Sequence, residues 1–493
     1  MSFQSRFTQL PSDFYHFNAP EPMQNGRLVG VNAALREQLG LTLSDEGLLA
    51  LASGQLTHPE LAEAGLRPLA QKYTGHQFGY YNPHLGDGRG LLLGEWQAPD
   101  GLVWDLHLKG AGRTPFSRNG DGRAVLRSSI REYLASEALH GLGVPTTRAL
   151  AIASSDEAVQ REILEPRATL LRVTPSHVRF GHFEWAARQS ATARDALLGF
   201  VVDHYFPEAQ GQSLKHQAWS LLQQVCERTA QLIAHWQAVG FNHGVMNSDN
   251  MSILGETFDF GPYAFFDDFQ MGYVCNHSDT EGRYAYNEQP SIGHFNCALL
   301  ADALGAYLSE EDQKKALDHY VNEYNRVALA QMLVKLGLAP TPQDRNRPDA
   351  EVQKGDRALV ADVFILMDQQ RVDHSLFFRR LVWLGTEREP ELMALLAEPD
   401  AFADWFAALQ QRVTVAGLSQ HDWQARIRAA NPSIVLRSYI AQEIIDAAEK
   451  GDDAPLMQWT QALQHPFDDH VELANYQQPP KPAQKSMVLS CSS

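Results

Sequence analysis

Hydrophobic residues recur at every second position through much of the first third of this chain and at every third or fourth position afterwards, a switch of period that sets its class as α+β. "LVWDLHLKG" alternates from Leu102 to Lys109 as a half-buried strand does, and "LLLGEW" before it reads as a second strand across a turn. Residues 147–174, with "TTRALAIASS" and "RATLLRVTP", predict two or more further strands around a charged turn. Leu126, Ile130, Leu134 and Ala138 are at helical spacing, and that helix stops between Gly141 and Pro145. From about residue 183 the pattern is mostly helical, with a long amphipathic helix ending at Gly240. Further helices are expected over 292–304, 310–336, 351–366, 374–397, 400–412 and 436–448, and upstream over 31–39 and 58–69. Residues from Tyr476 onward offer little to bury and read as a tail.

With 493 residues, 44% of them hydrophobic, the chain can build one large two-part unit or two to three closely packed domains. Forty-one basic against fifty-nine acidic residues give a formal charge of -18, which argues against a broad nucleic-acid footprint or an anionic membrane as the main partner. The opening residues lack a long apolar run and no later segment has about 18 uninterrupted apolar residues, so a cytoplasmic location is the expectation. Four cysteines, Cys226, Cys275, Cys297 and Cys491, are too few for a disulfide scaffold.

Chemistry concentrates in a few short stretches. "GDGRG", Gly86 to Gly90, alternates glycines that let a backbone approach a phosphate with Arg89, a planar multi-donor group; alone it also fits an ordinary hairpin turn. Lys109 follows at a strand end and Glu132 lies on the next helix, the order in which a phosphotransferase lobe sets a glycine loop, a phosphate-contacting lysine and the glutamate that fixes it. From Lys109 to Arg131 there are six basic residues and one acid, Asp121, a local charge of +5 suited to polyphosphate. Arg172 and Arg179 are two more candidate phosphate ligands. "HGVMNSDNMSILGETFDFG", His243 to Gly261, then resembles a kinase catalytic core, except that Val245 stands where the catalytic Asp belongs. Asn250 and Asp259 are hard-oxygen candidates for one Mg2+ or Mn2+ ion, with Asx turns as the bland alternative. Asp249, next to Asn250, is the residue left to act on an acceptor hydroxyl.

Other chemistry-bearing residues are less decisive. Cys275, His277, His294 and Cys297 have ligand-type side chains, but their spacing does not match a common closed zinc pattern. His76 and His84 flank the glycine loop as pocket or packing residues.

Several long motifs, in order, resemble the selenoprotein O family of protein adenylyltransferases: "GHQFG" at 75–79, "LGDGRG" at 85–90, "LHLKGAGRTPFSR" at 106–118, "DGRAVLRSSIREYL" at 121–134, "HGVMNSDNMSILG" at 243–255 and the terminal "CSS". His84 stands where the family pattern is expected to carry Gln. The resemblance implies a kinase-like, two-lobed pseudokinase fold in which inverted ATP exposes its α-phosphate, so that AMP passes to a Ser, Thr or Tyr hydroxyl of a protein substrate. The resemblance also admits UMP transfer from UTP by the same enzyme; ordinary ATP-dependent protein kinase activity and a catalytically inert scaffold are the alternatives. It further implies that Gly86, Gly88, Arg89, Lys109, Asp121, Gly122, Arg172, Arg179 and Asp259 hold the nucleotide, Glu132 supports Lys109, Asn250 and Asp259 bind Mg2+ or Mn2+, and Asp249 accepts the proton. Cys275 and Cys491 are implied as a redox pair. The expected organisation is an N-terminal extension over 1–70, a β-rich lobe over 71–180, a mainly helical lobe over 181–430, and a C-terminal extension and tail over 431–493.

Overall fold

The computed structural model describes residues 2–340, 353–485, 487 and 489. In chain order the first part carries β1 (Tyr15–Phe17), β2 (Arg27–Val31), α1 (Ala33–Gln38), α2 (Asp45–Ala52), β3 (Leu69–Gln71), β4 (Gly75–Gln77), β5 (Tyr80–Asn82), β6 (Gly90–Gln97), β7 (Val103–Lys109), β8 (Ala124–Val125), α3 (Leu126–Gly141), β9 (Arg148–Gln160) and β10 (Leu164–Thr174). The second part carries α4 (Phe180–Ala187), α5 (Ala191–Tyr205), α6 (Leu214–Val239), β11 (Phe241–Asn242), β12 (Ala264–Phe265), α7 (Gln289–Ala303), α8 (Glu310–Lys335) and α9 (Asp356–Gln370). It ends with α10 (His374–Arg380), α11 (Glu389–Met393), α12 (Ala403–Val415), α13 (Gln420–Ala430), α14 (Ser438–Ala448) and α15 (Ala454–Gln464). The α+β class read from the hydrophobic period is the class observed.

An antiparallel sheet in the order β1-β3-β6-β7-β10-β9-β2, with β8 beside β10, forms the first part. Leu91 and Leu93 of β6 face a core shared with α1 and α2, whereas Leu92 faces the core under α3. Both faces of the sheet are therefore covered, which is why β6 reads as a continuous apolar run and not as an alternation. β1 and β2, from the first 31 residues, occupy the two edges of this path, so the N-terminal segment completes the sheet as well as packing on it. A separate core lies among α8 to α13, while α14 and α15 pack back against α3.

Several expected helix boundaries need correction. Residues 58–69 form only a turn, not a helix: Leu61 and Ala62 donate to the His58 carbonyl, Glu60 turns away to accept from the Ser44 backbone N–H, and Gly65 at φ 75° ends the turn. The helix of that region is α2, capped by Ser44, whose hydroxyl accepts from the Gly47 N–H. The segment 374–397 is broken into α10 and α11 around Gly385, at φ 75°. α13 and α15, which hydrophobic period alone did not single out, start at Ser419 as N-cap and beside Pro455 in the first turn respectively. Residues 351–352, at the start of one expected helix, lie outside the described residues.

α6 ends at Gly240, whose φ of 71° suits the left-handed cap. β11 then pairs with β12, Phe241 opposite Phe265 and Asn242 opposite Ala264. This short ribbon closes the base of the loop 243–263, which bears the residues of the kinase-like stretch.

Candidate active site

A cleft of about 690 Å³ opens between the sheet and the loop 243–263. Its lining includes eight Lys and Arg side chains against four carboxylates, a positive basin in an acidic protein. Gly86, Gly88, Arg89, Lys109, Asp121, Gly122, Arg172, Arg179, Asp249, Asn250 and Asp259 all line it, so the cleft gathers residues spread over more than 170 positions. Glu132 lies behind Lys109, buried.

The glycine loop is shaped by what it touches. A Cβ at Gly86 would meet the Phe116 ring at 2.5 Å, and one at Gly122, where φ is 70°, would meet the Gly112 carbonyl oxygen at 2.0 Å. Only glycine fits at these two positions, against a ring in one case and a backbone carbonyl in the other. Beneath the loop, buried Asp87 accepts from the Gln71 N–H at 3.0 Å and lies 3.4 Å from His107 Nε2. Asp121 is held by Arg161 through two contacts of 2.9 and 3.1 Å. Arg161, on the β9–β10 turn, is a cleft residue that the sequence reading missed; only its place in a charged turn hinted at it.

A ladder of alternating charge crosses the cleft. Lys109 at the end of β7 pairs with Glu132 of α3, and Glu132 pairs in turn with Arg172 of β10. Arg172 reaches Asp259 Oδ1 at 2.8 Å, and Arg179, the residue before α4, takes Asp259 Oδ2. Burial pushes the Lys109 amine down to about 8 against the pull of Glu132. Burial alone would raise Asp259, but Arg179 and Arg172 hold its carboxyl well below the usual range. The Arg179 guanidinium lies between the rings of Tyr73 and Phe258, at 4.5 and 4.6 Å from their centroids, which fixes its direction.

The loop itself is pinned from behind. His243 is buried, stacked on Trp236 at 5.3 Å, with Nε2 3.1 Å from the Phe258 carbonyl oxygen. It thereby ties the start of the stretch to the segment carrying Asp259. Asp259 itself adopts φ 57°, a left-handed conformation uncommon outside glycine, Asn and Asp. Asn250 donates its amide N–H to the Val245 carbonyl oxygen at 3.1 Å, leaving its side-chain oxygen as the donor atom for a cation. Each Asp259 oxygen retains lone-pair capacity beyond its arginine contact, so these two hard-oxygen residues fit Mg2+ or Mn2+.

Asp249 lines the same cleft as Asp259 but has a different environment. It is buried, its Oδ1 has no hydrogen-bond partner among the described residues, and its Oδ2 accepts from Gln77 Nε2 at 3.2 Å. Burial raises its carboxyl to about 7, with Arg179 opposing and Asp259 reinforcing the shift. The two carboxylates of one cleft are thus shifted in opposite directions, Asp259 down and Asp249 up, the separation expected of distinct chemical tasks.

Comparison with known proteins decides which family built this cleft. The family description "Protein adenylyltransferase SelO" matches residues 1–464. The chain belongs to the SelO family. A protein nucleotidyltransferase YdiU of Hydrogenovibrio crunogenus is 61% identical over 490 residues, covering 99% of this chain and 100% of that one. The YdiU proteins of Aeromonas hydrophila and Vibrio cholerae are 46% and 44% identical over 480 and 497 residues, covering 96% and 99% of this chain and 96% and 98% of theirs. The stretches 75–79, 85–90, 106–118, 121–134 and 243–255 fall on the cleft or on the elements that bear it.

The remaining candidates separate. His76 Nδ1 lies 2.6 Å from Glu184 Oε2, a buried partner that sequence did not suggest, while His84 is exposed at the cleft rim. Cys297 is buried beside Cys226, and His294 packs edge-on against Tyr320, so neither joins Cys275 in a ligand set. Cys275 is buried against Asn242 and Pro262; Cys491 lies outside the described residues. Among the described residues no helix is long and apolar enough to cross a membrane.

Proposed function

We propose that this chain transfers AMP from ATP to hydroxyl groups of protein substrates, releasing pyrophosphate. The observation that carries the proposal is geometric: Asp249, Asn250 and Asp259 meet the glycine loop and the Lys109–Glu132–Arg172–Asp259 charge ladder in one positive cleft, on a chain of the SelO family. Both the strand-rich part and the helical part contribute to the cleft, which supports a kinase-like two-lobed reading with lobes over 71–180 and 181–430 flanked by extensions over 1–70 and 431–493.

On this reading Gly86, Gly88, Arg89, Lys109, Asp121, Gly122, Arg172 and Arg179 surround the triphosphate, and Glu132 holds Lys109 in place. Asn250 and Asp259 would hold Mg2+ or Mn2+, which supplies charge neutralisation at the phosphates when bound. The acceptor oxygen attacks the α-phosphorus, the bond from that phosphorus to its bridging oxygen breaks, pyrophosphate leaves, and the hydroxyl proton passes to Asp249. A carboxyl near pH 7 suits that proton transfer. Cys275 and Cys491 form a redox pair on the same reading: the His277 N–H donates to the Leu489 carbonyl oxygen at 2.8 Å, which brings the chain two residues before Cys491 alongside the Cys275 segment.

The test uses ATP labelled at either the α- or the γ-phosphate with Mg2+ or Mn2+, followed by intact mass of the enzyme and of β-casein as a generic acceptor. Incorporation of α-label and a mass gain of AMP is expected, and Asp259→Ala should abolish both. Incorporation of γ-label would identify a kinase, and no incorporation at all an inert scaffold.

A further inference from the structure

The hairpin β4–β5 lies directly over Asp249. Gly75 faces Asp249 so closely that a Cβ there would meet its Oδ1 at 2.7 Å and its Cβ at 2.8 Å. The His76 N–H donates to Ser248 Oγ at 2.7 Å, and Ser248 donates in turn to Glu184. The Phe78 N–H reaches Asn247 Oδ1 at 3.2 Å and the Tyr284 hydroxyl at 3.0 Å. Phe78 and Gly79, at φ 50° and 84°, make the two-residue turn, with Gln77 opposite Tyr80. A phenylalanine in the left-handed region is strained, and the turn keeps it because its neighbours are so fully engaged. The hairpin is therefore built to hold one register against residues 247–249.

Within that register three side-chain and backbone groups form a relay of fixed polarity. The His84 backbone N–H donates to Asn82 Oδ1 at 3.0 Å. A backbone N–H can only donate, so the oxygen of Asn82 must face it and the amide nitrogen must face the other way. Asn82 Nδ2 accordingly donates to Gln77 Oε1 at 3.1 Å, and Gln77 Nε2 donates to Asp249 Oδ2 at 3.2 Å. The relay ends on Oδ2 of Asp249; Oδ1 is buried under Gly75 and has no hydrogen-bond partner among the described residues.

We infer that Gln77 and Asn82 are positioning residues for Asp249: the relay anchors the carboxylate through Oδ2 while Gly75 packs over the buried Oδ1, so that the group keeps one orientation toward the acceptor hydroxyl. The inference rests on the reading of Asp249 as proton acceptor in AMP transfer. An anchored carboxylate presents one lone pair in one direction, whereas an unanchored one rotates, and misplacement of a base by a fraction of an ångström lowers turnover without touching nucleotide affinity.

The polarity makes the test specific. In Asn82→Asp the carboxylate still accepts from the His84 N–H but now accepts from Gln77 as well, so the Gln77 amide turns over and sets its oxygen against Asp249. Asn82→Ala removes the relay's root yet lets Asp249 itself choose the donating end of Gln77. The measurement is kcat and KM for ATP in transfer of α-label to β-casein with Mg2+, alongside ATP binding by calorimetry and thermal melting, for wild type, Asn82→Ala, Asn82→Asp, Gln77→Glu and Asp249→Ala. Asn82→Asp and Gln77→Glu should lower kcat roughly 10-fold or more with ATP affinity retained, Asn82→Ala should fall between them and wild type, and Gln77→Glu should cost nothing further in an Asp249→Ala background. A purely structural hairpin predicts the reverse order, with Ala at least as damaging as Asp and melting lowered in step; that result, or loss of ATP binding in parallel with kcat, overturns the relay. Wild-type turnover in Asp249→Ala would instead overturn the reading of the site, whereas an inactive Asp249→Ala beside a fully active Asn82→Asp overturns the relay alone.

Discussion

At the scale of single residues the charge ladder is asymmetric. Glu132 serves two cations, Lys109 and Arg172, while Arg172 also has Asp259. Lys109→Met removes one partner and leaves Glu132 paired with Arg172, so a stability loss of about 1 kcal/mol is expected together with loss of AMP transfer. Glu132→Gln leaves the Lys109 ammonium buried beside a neutral amide, and a loss of roughly 3–5 kcal/mol is expected. Urea unfolding of both variants checks the order; a Lys109 variant less stable than the Glu132 variant would make Lys109 the structural centre of the ladder. The identities of Lys109, Glu132 and Asp259 were legible in the sequence because their order along the chain is chemically distinctive. Arg172 was legible only as a candidate, because nothing in a strand's pattern shows that it contacts two carboxylates from different elements.

Among elements, β6 and β7 place Glu95 directly opposite Asp105, both buried. Burial raises each carboxyl to about 7, with their mutual repulsion adding to the shift of Glu95 and the His177 N–H opposing that of Asp105. Arg6 faces both, and His107, His177 and Asp87 complete the charged surroundings. The unfolded carboxylates titrate near pH ~4, so between that value and about 7 the folded state binds more protons than the unfolded one. This contribution to stability is fully present below pH ~4, declines as pH rises through about 7, and is flat above. Glu95→Gln should therefore be the more stable protein relative to wild type at high pH, the difference shrinking as pH falls; thermal melting across the neutral range measures it, and a difference independent of pH would remove the pair as the cause. The strand-like run "LLLGEW" and the alternation from Leu102 to Lys109 predicted the strands, but the two acids come into register only because β6 shifts by one residue between Leu92 and Gly94.

For the whole molecule, a chain of formal charge -18 sets eight Lys and Arg side chains against four carboxylates in one cleft. A triphosphate entering there meets a favourable local field inside an unfavourable global one. ATP with Mg2+ at about 100 times its Kd should stabilise the protein by about 2.7 kcal/mol, seen as a rise in Tm. Chelation of the metal should cut that rise, and added salt should weaken ATP binding because part of the attraction is screened. A Tm shift indifferent to chelator would separate nucleotide binding from Asn250 and Asp259.

What the sequence determined by itself was the hydrophobic period, hence the class, and the chain order of Gly86, Lys109, Glu132, Asp249, Asn250 and Asp259, because both are local or follow a chemical order that few functions share. The tertiary structure decided the rest. It broke the helix expected over 374–397 at Gly385, and it replaced the one expected over 58–69 with a turn whose Glu60 binds Ser44. It also brought Arg161 to Asp121, Glu184 to His76 and Gln77 to Asp249, pairs separated by 40, 108 and 172 positions. Hydrogen-bond partners so distant leave no periodic trace in a sequence, since each depends on where a sheet, a helix and a loop are packed and not on the residues beside it.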